Sequence, residues 1–359
     1  ANVRTDMLQL RASDKLVVAA THGRGLFTSD VFAVPTALFT AVPTLNYMGK
    51  TIQFQDNSYR SVSWVWDFGD GSPTSSLQNP THVYTLPGKY NVTLTINAGA
   101  STLTKTGYLH ILPDRGTPYL TTDGGDFEVN VFDFGANNVA GTDFEWGSSA
   151  IVGKSGTVSP THAWVTGIAL ADYSDNCRAQ LWTPSFNLTN PGVYTLNFSA
   201  KYATEAGYDG FRVEYSLDKG TTWLPLGTTV QAGWYTDPNS LGGGFFPTNQ
   251  AMFSGAAGAA FVAYTRDISS LATNPSVAFR FFFGSDAGVT AAGLAIDDFF
   301  ITGPFNSGGL PVAGTPLRGE WTAAQPALSW TTYQETGNRG FVVEQSIDGL
   351  TFNDAGFVA

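Results

Sequence analysis

Cysteine is almost absent from this 359-residue chain, because Cys177 is the only one. An intrachain disulfide and a thiolate metal cluster are therefore excluded. Charged residues are also scarce, at 13%, and the formal charge of −11 leaves few cations to contact phosphate. This balance argues against nucleic acid or an anionic membrane as a partner. No apolar run is long enough to span a bilayer.

Helical periodicity is missing as well, whereas alternation with a period of two recurs along the chain. Residues 194–202, 211–215 and 279–283 each place apolar side chains at every second position, which is typical of half-buried antiparallel strands. Aromatic residues make up 14% of the sequence and glycine numbers 40, and these favour strands and turns respectively. The sequence therefore predicts an all-β fold of tandem β-sandwiches.

Three motifs between residues 64 and 92 carry the clearest signal. They are Trp-Val-Trp-Asp-Phe-Gly-Asp-Gly at 64–71, Asn-Pro-Thr-His-Val-Tyr at 79–84 and Gly-Lys-Tyr-Asn-Val at 88–92. The alternation from Val62 to Phe68 predicts a strand with one aromatic face, followed by a sharp turn at the glycines. Together the motifs resemble the signature of PKD domains, which are small immunoglobulin-like sandwiches in exported and cell-surface proteins. The resemblance assigns residues 35–113 to a spacer or interaction module.

A second series of motifs runs through residues 114–305. It includes Phe-Glu-Trp-Gly at 144–147, Glu-Ala-Gly-Tyr-Asp-Gly at 205–210 and Gly-Leu-Ala-Ile-Asp-Asp at 293–298. The series is similar to MAM-like and cleaved-adhesin jelly rolls, which occur beside secreted bacterial peptidases and in surface adhesins. The resemblance implies a larger jelly-roll sandwich that begins after a linker at 114–118. It implies little about the ligand, because such folds serve many tasks.

The two ends of the chain look like parts of further modules. Residues 1–34 contain a His-Gly-Arg-Gly turn at 22–25 and resemble the last blade of a sialidase- or sortilin-like propeller. Either they are the stump of a propeller, or their strands pair with the next module. After a predicted flexible joint at 306–309, the remainder of 306–359 resembles a partial fibronectin type III-like module. That version is common in proteins exported by the type IX route of Bacteroidota.

Carboxylates near the start and the end of the predicted jelly roll form the first candidate metal site. Asp297 and Asp298 are adjacent in a strand, so one of them should share a face with apolar neighbours. A buried aspartate is costly unless it is paired or bound to metal. Because first and last strands of a jelly roll are close in space, Asp126 and Glu128 are expected to join them in a Ca²⁺ site. Alternatively, one aspartate caps a turn.

Two further candidate sites lie in loops of the same unit. A weaker metal candidate is formed by Asp172, Asp175 and Asn176 together with Glu205 and Asp209, and solvated turn formation is the alternative. The Gly-rich segment from 233 to 247 carries a set of aromatic residues that could bind a glycan or a protein. The alternative is that these rings plug one end of the sandwich. The set is Trp234, Tyr235, Phe245 and Phe246.

Motifs for catalysis are missing from the sequence. The four histidines are scattered, and no nucleophile elbow or phosphate loop is present. Paired acids drawn from Glu145, Glu205 and Glu214 stay open, because their spacing does not show whether they meet.

We therefore expect a non-enzymatic segment of a large exported protein, secreted or on the surface of a Gram-negative bacterium. It would act as an adhesin or stalk with a calcium-stiffened jelly roll that binds glycan or protein, and it would also contact the flanking domains of its own polypeptide. The alternatives are the accessory region of a secreted hydrolase and a structural spacer or filament subunit.

Overall fold

A computed structural model describes residues 5–11, 13, 17–21, 25–29, 34–128, 132–228, 233–238, 240–241, 246, 248–307, 313–314, 318–322, 325–330, 332–334, 341–345 and 353–358. These residues form 28 strands and three short 3-10 helices at Asn97–Gly99, Thr121–Asp123 and Ser269–Leu271. The predicted all-β fold class is confirmed, and no helix in the described part is long and apolar enough to cross a membrane. The chain divides into two compact units, Ala1–Leu112 and Pro113–Ala359. The finer division into four modules stays a prediction.

The first unit contains three sheets. Strands β1 to β3 form an antiparallel meander, β4-β6-β8 form a three-stranded sheet, and β5-β10-β9-β7 form a four-stranded sheet. The strands are β1 Thr5–Leu10, β2 Val17–Thr21, β3 Gly25–Ser29, β4 Phe39–Val42, β5 Leu45–Tyr47, β6 Thr51–Asp56, β7 Trp64–Asp67, β8 Thr81–Val83, β9 Gly88–Ile96 and β10 Ser101–Leu112.

The predicted alternation in this unit produces one aromatic and aliphatic core. In β9, Val92, Leu94 and Ile96 are fully buried, whereas the residues between them are partly exposed. Trp66 is fully buried as well, and its Nε1 donates to the main-chain oxygen of Leu77 at 2.8 Å. The predicted aromatic strand is shorter than expected, because β7 begins at Trp64 and Val62 is 81% exposed.

The turn after β7 is braced by its own carboxylates. Asp67 accepts a hydrogen bond from the Gly69 N–H at 2.9 Å. Asp70 lies 2.7 Å from His82 Nε2, and the His82 ring stacks on Phe68 with centroids 4.0 Å apart. The side chains of Asp67 and Asp70 therefore hold the sharp turn, as the motif indicates.

The second unit is built on two six-stranded sheets that enclose one core. One sheet has the order β11-β16-β21-β18-β19 with β13 beside β16, and the other has β14-β15-β22-β17-β20 with β12 beside β22. The strands are β11 Asp114–Arg115, β12 Thr117–Tyr119, β13 Gly135–Ala140, β14 Phe144–Gly147, β15 Ala163–Thr166, β16 Arg178–Leu188, β17 Thr195–Ala203, β18 Gly210–Ser216, β19 Leu224–Pro225, β20 Val262–Asp267, β21 Asn274–Gly284 and β22 Gly293–Asn306.

Aromatic side chains from both sheets meet in this core. Phe198 of β17 packs edge-to-face on Phe281 of β21 at 4.9 Å, and Phe211 of β18 stacks on Phe253 at 4.7 Å. The strands predicted at 194–202, 211–215 and 279–283 are confirmed as β17, β18 and β21.

The segment predicted as a linker and the described part of the segment predicted as a flexible joint belong to this sandwich. The predicted linker 114–118 contains β11 and most of β12, and Arg115 forms a buried ion pair with Asp133 at 2.5 Å. The predicted joint begins with Asn306, which is the last residue of β22 and donates to Tyr194 Oη at 2.7 Å. Both predictions were wrong at these positions, because the polar side chains have buried partners rather than solvent.

The C-terminal strands form three separate pairs, β23-β26, β24-β25 and β27-β28. They are β23 Ala313–Gly314, β24 Arg318–Thr322, β25 Gln325–Ser329, β26 Thr332–Gln334, β27 Phe341–Gln345 and β28 Asn353–Val358. The resemblance of this region to a fibronectin type III-like module stays a prediction.

Candidate functional site

Two carboxylates of the first predicted metal site, those of Glu128 and Asp297, contact one serine, Ser159, which also contacts the main chain of Asp126. The serine hydroxyl oxygen is 2.8 Å from the main-chain oxygen of Asp126, 3.1 Å from Glu128 Oε1 and 2.9 Å from Asp297 Oδ1. Asp298 follows Asp297 in β22. The segment 125–128, the loop 157–162 and strand β22 therefore converge, which brings a segment near the start of the sandwich to its last strand.

A β-bulge at Asp298 separates the roles of the two adjacent aspartates. Between the pairs Asn197–Phe300 and Ser199–Asp297, β22 has one residue more than β17. Asp298 adopts a φ of 49°, and the core-facing side chains after it are Phe299 and Ile301. The strict alternation expected for this strand was wrong, because the extra residue shifts its phase. Neither aspartate lies on the apolar face.

Glycine at position 125 allows the chain to approach this bulge. The Phe299 N–H donates to the Gly125 carbonyl oxygen at 2.8 Å. A Cβ at Gly125 would lie only 1.7 Å from the main-chain oxygen of Phe299. The close contact fixes Asp126 beside Asp298.

Asp297 is fully buried and caps the loop above it. Oδ2 accepts hydrogen bonds from the N–H groups of Val158 at 2.6 Å and Ser159 at 3.1 Å, and Oδ1 accepts one from the Asp298 N–H at 2.8 Å. Burial raises the pKa of Asp297 to about 6, although these hydrogen bonds oppose the shift. Both oxygens are therefore occupied by protein donors.

Glu128 braces the other end of the same loop. Oε1 accepts hydrogen bonds from the N–H groups of Thr161 at 2.8 Å and His162 at 2.7 Å, and the Thr161 hydroxyl donates to Oε2. Burial alone would raise the pKa of Glu128, but the hydrogen bonds from Thr161 and His162 outweigh it and lower the pKa to about 2.

Asp126 and Asp298 retain free acceptor capacity. Asp126 accepts a hydrogen bond from the Glu128 N–H through Oδ1. Burial raises the pKa of Asp298, and the negative charge of Asp126 raises it further. These two carboxylates therefore repel each other, which is the electrostatic condition that a cation relieves.

The second predicted metal set is only partly assembled. Asp172 and Asp175 are exposed, whereas Asp209 is fully buried and lies with Glu205 and Asp286. One carboxylate oxygen from each of these three residues lies within 4.8 Å of the others.

Asp209 is held in this group by two donors. It accepts hydrogen bonds from the Tyr173 hydroxyl at 2.5 Å and from the Asp286 N–H at 2.7 Å. Burial raises the pKa of Asp209 to about 6. Sequence reasoning missed Asp286, whose only signal is its place in the turn that follows β21.

The predicted aromatic ligand site lies mostly inside the protein. Trp234 and Tyr235 are 2% and 3% exposed, and their polar atoms bond to the main-chain oxygen of Leu226. Phe246 is also buried and packs on Phe282 at 5.7 Å, while Phe245 lies outside the described residues. These three rings fill the sandwich interior or its margin, so they do not offer a face to a ligand.

An exposed aromatic pair that sequence reasoning did not single out borders the first acidic site. Trp146 in β14 is 38% exposed, and its ring stacks on His162 with centroids 3.9 Å apart. Its Nε1 donates to the main-chain oxygen of Phe127 at 2.7 Å.

The candidate catalytic acids show no common cleft in the described residues. Glu145 Oε2 accepts from the Ile168 N–H, and Glu205 lies in the acidic group with Asp209. Glu214 forms ion pairs with Arg212 at 2.7 Å and Arg280 at 2.5 Å.

Comparison with known proteins gives one match to a protein family. The family model of the PKD domain matches residues 34–111. The collagenase ColA of Bacillus cereus is 35% identical over 77 residues, which is 20% of this chain and 8% of the collagenase. The match therefore spans a small part of both proteins, and less than a tenth of the length of the collagenase.

Similar solved structures include two sandwich proteins. One is a carbohydrate-binding module of the β-sandwich superfamily, with 18% identity, coverage of 75% of this chain and 98% of the module, and a TM-score of 0.28. The other is the K1 cleaved adhesin domain of Lys-gingipain from Porphyromonas gingivalis, with 13% identity, coverage of 47% and 90%, and a TM-score of 0.26. At these TM-scores the likeness does not indicate a function for this chain.

The match to the family model covers all three sequence motifs and both sheets around Trp66. Residues 34–111 are therefore a PKD domain.

Proposed function

We propose that this chain is a non-catalytic segment of an exported bacterial surface protein, whose larger sandwich binds a glycan or a protein and is stiffened by calcium. The observation that carries the calcium part is the closeness of the Asp126 and Asp298 carboxylates, next to Glu128 and Asp297, which both contact Ser159. PKD modules in exported proteins support the location, and the origin in a Gram-negative type IX system remains part of the proposal.

The four carboxylates fit a divalent cation unequally. Glu128 and Asp297 are saturated with donors from the loop 157–162, so their role is to hold that loop. Asp126 and Asp298 have acceptor capacity left and repel each other. Calcium takes six to eight oxygen ligands with flexible geometry, which suits two carboxylates supplemented by carbonyl oxygens and water. Asp126 and Asp298 would therefore hold the ion.

A second cation is proposed at Glu205, Asp209 and Asp286, where three carboxylate oxygens lie within 4.8 Å of one another. It keeps Glu205 and Asp209 from the set predicted from the sequence and adds Asp286. Binding there would link the loops that follow β17 and β21.

Thermal unfolding of the whole chain in EDTA and in 1 mM CaCl₂ tests the calcium sites. A ligand at 100 times its dissociation constant stabilises a protein by about 2.7 kcal/mol, so the wild-type melting temperature should rise by several degrees. Asp298→Asn removes the repulsion, and this variant should match or exceed the wild type in EDTA but gain less from calcium than the wild type, because only the second site would remain. Asp286→Asn tests the second site in the same way. A wild type whose melting temperature is equal in both buffers would show that neither site binds calcium.

The propeller assignment of the N-terminal strands is supported by the faces of their sheet. Leu8 and Phe27 lie on one face and are 69% and 53% exposed, whereas Met7 and Leu26 lie on the other and are 59% and 72% exposed. A sheet that is apolar on both sides suits an inner position between two neighbours. We therefore propose that β1–β3 belong to a propeller blade.

The sequence of the encoding gene on both sides of this segment distinguishes the main proposal from its alternatives. A catalytic domain beside this segment would favour the accessory region of a secreted peptidase or glycoside hydrolase. Further sandwich repeats would favour an adhesin or stalk. Ordered self-association of the purified chain, measured by light scattering, would favour a filament subunit instead.

A further inference from the structure

Strand β20 is an open edge of the larger sandwich. It is six residues long, and its one neighbour among the described strands is β17, with which it pairs without a register shift. The other edge strands of the two six-stranded sheets are shorter or irregular: β11, β12 and β19 have two or three residues, β14 has four, and β13 is bulged at Val139. Proteins close sheet edges with such short or bulged strands, because a regular edge is a template for pairing with another chain. β20 is neither short nor bulged.

The main-chain groups of alternate residues in β20 point away from the sheet. Just beyond the strand, the Ile268 N–H donates to the Tyr194 oxygen at 2.9 Å. Hydrogen-bonded pairs alternate in an antiparallel ladder, so the even-numbered residues of β20 bond to β17 and the odd-numbered ones face outwards. The odd-numbered residues are Ala263, Thr265 and Asp267, which are all exposed. No described residue bonds to their outward N–H and carbonyl groups.

The inner face of β20 holds the strand in place. Tyr264 is buried, and its ring stacks on Phe198 with centroids 5.3 Å apart and packs edge-to-face on Phe253 at 4.7 Å. The Arg266 guanidinium lies over the Trp234 ring at 5.6 Å. A fixed strand therefore presents the outward groups, so little conformational entropy is lost when another strand pairs with them.

The sequence of β20 fits antiparallel pairing with a second copy of itself. When two copies pair about Thr265, this residue faces its own counterpart, and Ala263 of each copy faces Asp267 of the other. All three pairs join outward-facing residues, so each pair exchanges two main-chain hydrogen bonds, about six in total. Threonine opposite threonine is a favourable cross-strand pair, and no like charges face each other, since Arg266 lies opposite Tyr264.

We propose that β20 is a self-association surface, at which two copies of this chain join through a two-fold antiparallel β20–β20 contact. The β14-β15-β22-β17-β20 sheets of the two copies then form one continuous sheet. A two-fold contact uses the same surface on both copies and is closed after two, so it gives a dimer and not a filament. The contact requires neither a glycan nor calcium, and it goes beyond the proposed function.

Sedimentation equilibrium of the whole chain measures this association. The formal charge of −11 makes the copies repel each other, so the buffer contains about 0.15 M NaCl, which screens charges beyond ~8 Å. The chain is studied up to about 0.5 mM, because a small interface gives weak association. We expect the mean mass to rise from one copy to two and to stop there.

Thr265→Lys and its control Val139→Lys test the position of the contact. At Thr265 the two added ammonium groups would face each other across the two-fold axis, so association should weaken at least about tenfold. Val139 is 54% exposed in the bulged edge strand of the opposite sheet, and lysine there changes the net charge by the same amount. This control should change the dissociation constant by no more than about twofold. Melting curves verify that each variant is folded.

Cysteine cross-linking tests the register of the two strands. In the proposed pairing, the Cα atoms of position 265 in the two copies lie about 5.5 Å apart, which a disulfide can span. Position 263 of one copy lies four residues along the strand from position 263 of the other, about 14 Å away. Thr265→Cys should therefore form an intermolecular disulfide under mild oxidation, and Ala263→Cys should form it far more slowly. The native Cys177 is buried and does not compete.

Each outcome either supports or overturns the contact. A wild-type dimer that is weakened by Thr265→Lys but not by Val139→Lys, with selective cross-linking of Thr265→Cys, supports it. A wild type that stays a single copy at about 0.5 mM overturns it, and so does a dimer that Thr265→Lys leaves unchanged. Equal cross-linking of Thr265→Cys and Ala263→Cys overturns the register. A mass that rises beyond two copies also overturns the contact, because it indicates the open assembly of a filament.

Discussion

Replacing Gly125 by alanine should destabilise the larger sandwich through a contact that no side-chain rotation can relieve. The added Cβ would lie 1.7 Å from the Phe299 oxygen and 2.9 Å from the Phe299 carbonyl carbon. Both neighbours are main-chain atoms of β22, so the segment at 125 or the bulge itself must move. Such a movement breaks the 2.8 Å hydrogen bond from the Phe299 N–H to the Gly125 oxygen.

The loss of stability follows from the two main-chain groups that lose their hydrogen-bond partners, the Phe299 N–H and the Gly125 carbonyl oxygen. Gly125 and Phe299 are buried, and each orphaned polar group costs about 1–3 kcal/mol. The loss in unfolding free energy should therefore be at least about 2 kcal/mol. For a unit of this size that corresponds to a fall in melting temperature of about 4–8 °C or more.

Differential scanning calorimetry of the whole chain measures this change, with Gly288→Ala as the control. At Gly288 the nearest atoms to an added Cβ are the carboxylate ends of Asp286 and Glu205, at 3.0 Å and 3.5 Å, and these can rotate away. The control should melt within about 1–2 °C of the wild type. If Gly125→Ala also melts within about 1–2 °C of the wild type, the close approach of segment 125–128 to the bulge is not what holds Asp126 beside Asp298.

Three further predictions concern single titratable groups. Glu128→Gln should lower the free energy of unfolding at pH 7, and the difference from the wild type should shrink as the pH falls towards 2. A carboxylate whose pKa is lowered by folding stabilises the protein above its pKa in the unfolded chain, and this stabilisation is lost as the pH falls through its pKa in the folded chain. Urea titrations at several pH values measure the difference, and a difference that does not change with pH would contradict the prediction. Asp143→Asn should raise stability at pH 7, because burial and then the charge of Glu145 raise the pKa of Asp143 to about 6, and the gain should vanish below about pH 4; the same titrations check it. Cys177 is buried and its pKa is raised to about 11 by burial, so a disulfide reagent should modify it only after unfolding, and rapid reaction of the native chain would refute this.

The sequence predicted most of the fold because its strands alternate strongly. Leu94 and Phe281 lie in runs where every second residue is apolar, and both are fully buried. Predictions failed where a polar side chain finds a distant partner. Arg115 looked like part of a linker, but its partner is Asp133. Nothing local in the sequence signals such a pairing.

The candidate site was harder to predict than the fold because its parts depend on irregular backbone. The convergence of 125–128 with β22 follows from the general closeness of first and last strands. The loop 157–162, which supplies Ser159, has no recognisable pattern. Trp146 reads as an ordinary strand residue, and only the structure shows that it stacks on His162.

The bulge at Asp298 explains how two adjacent aspartates can do different work. In a regular strand, one of them would point into the apolar core, where an unpaired carboxylate is very costly. The extra residue in β22 keeps Phe299 and Ile301 in the core, turns Asp297 towards the N–H groups of Val158 and Ser159, and leaves Asp298 beside Asp126. Deleting Asp298 should therefore restore regular pairing with β17, with Asp297 and Phe299 on the faces they now have, but it removes the carboxylate beside Asp126 and with it the response of that site to calcium. A deletion variant that kept both wild-type stability and its response to calcium would mean that the bulge has no part in building the site.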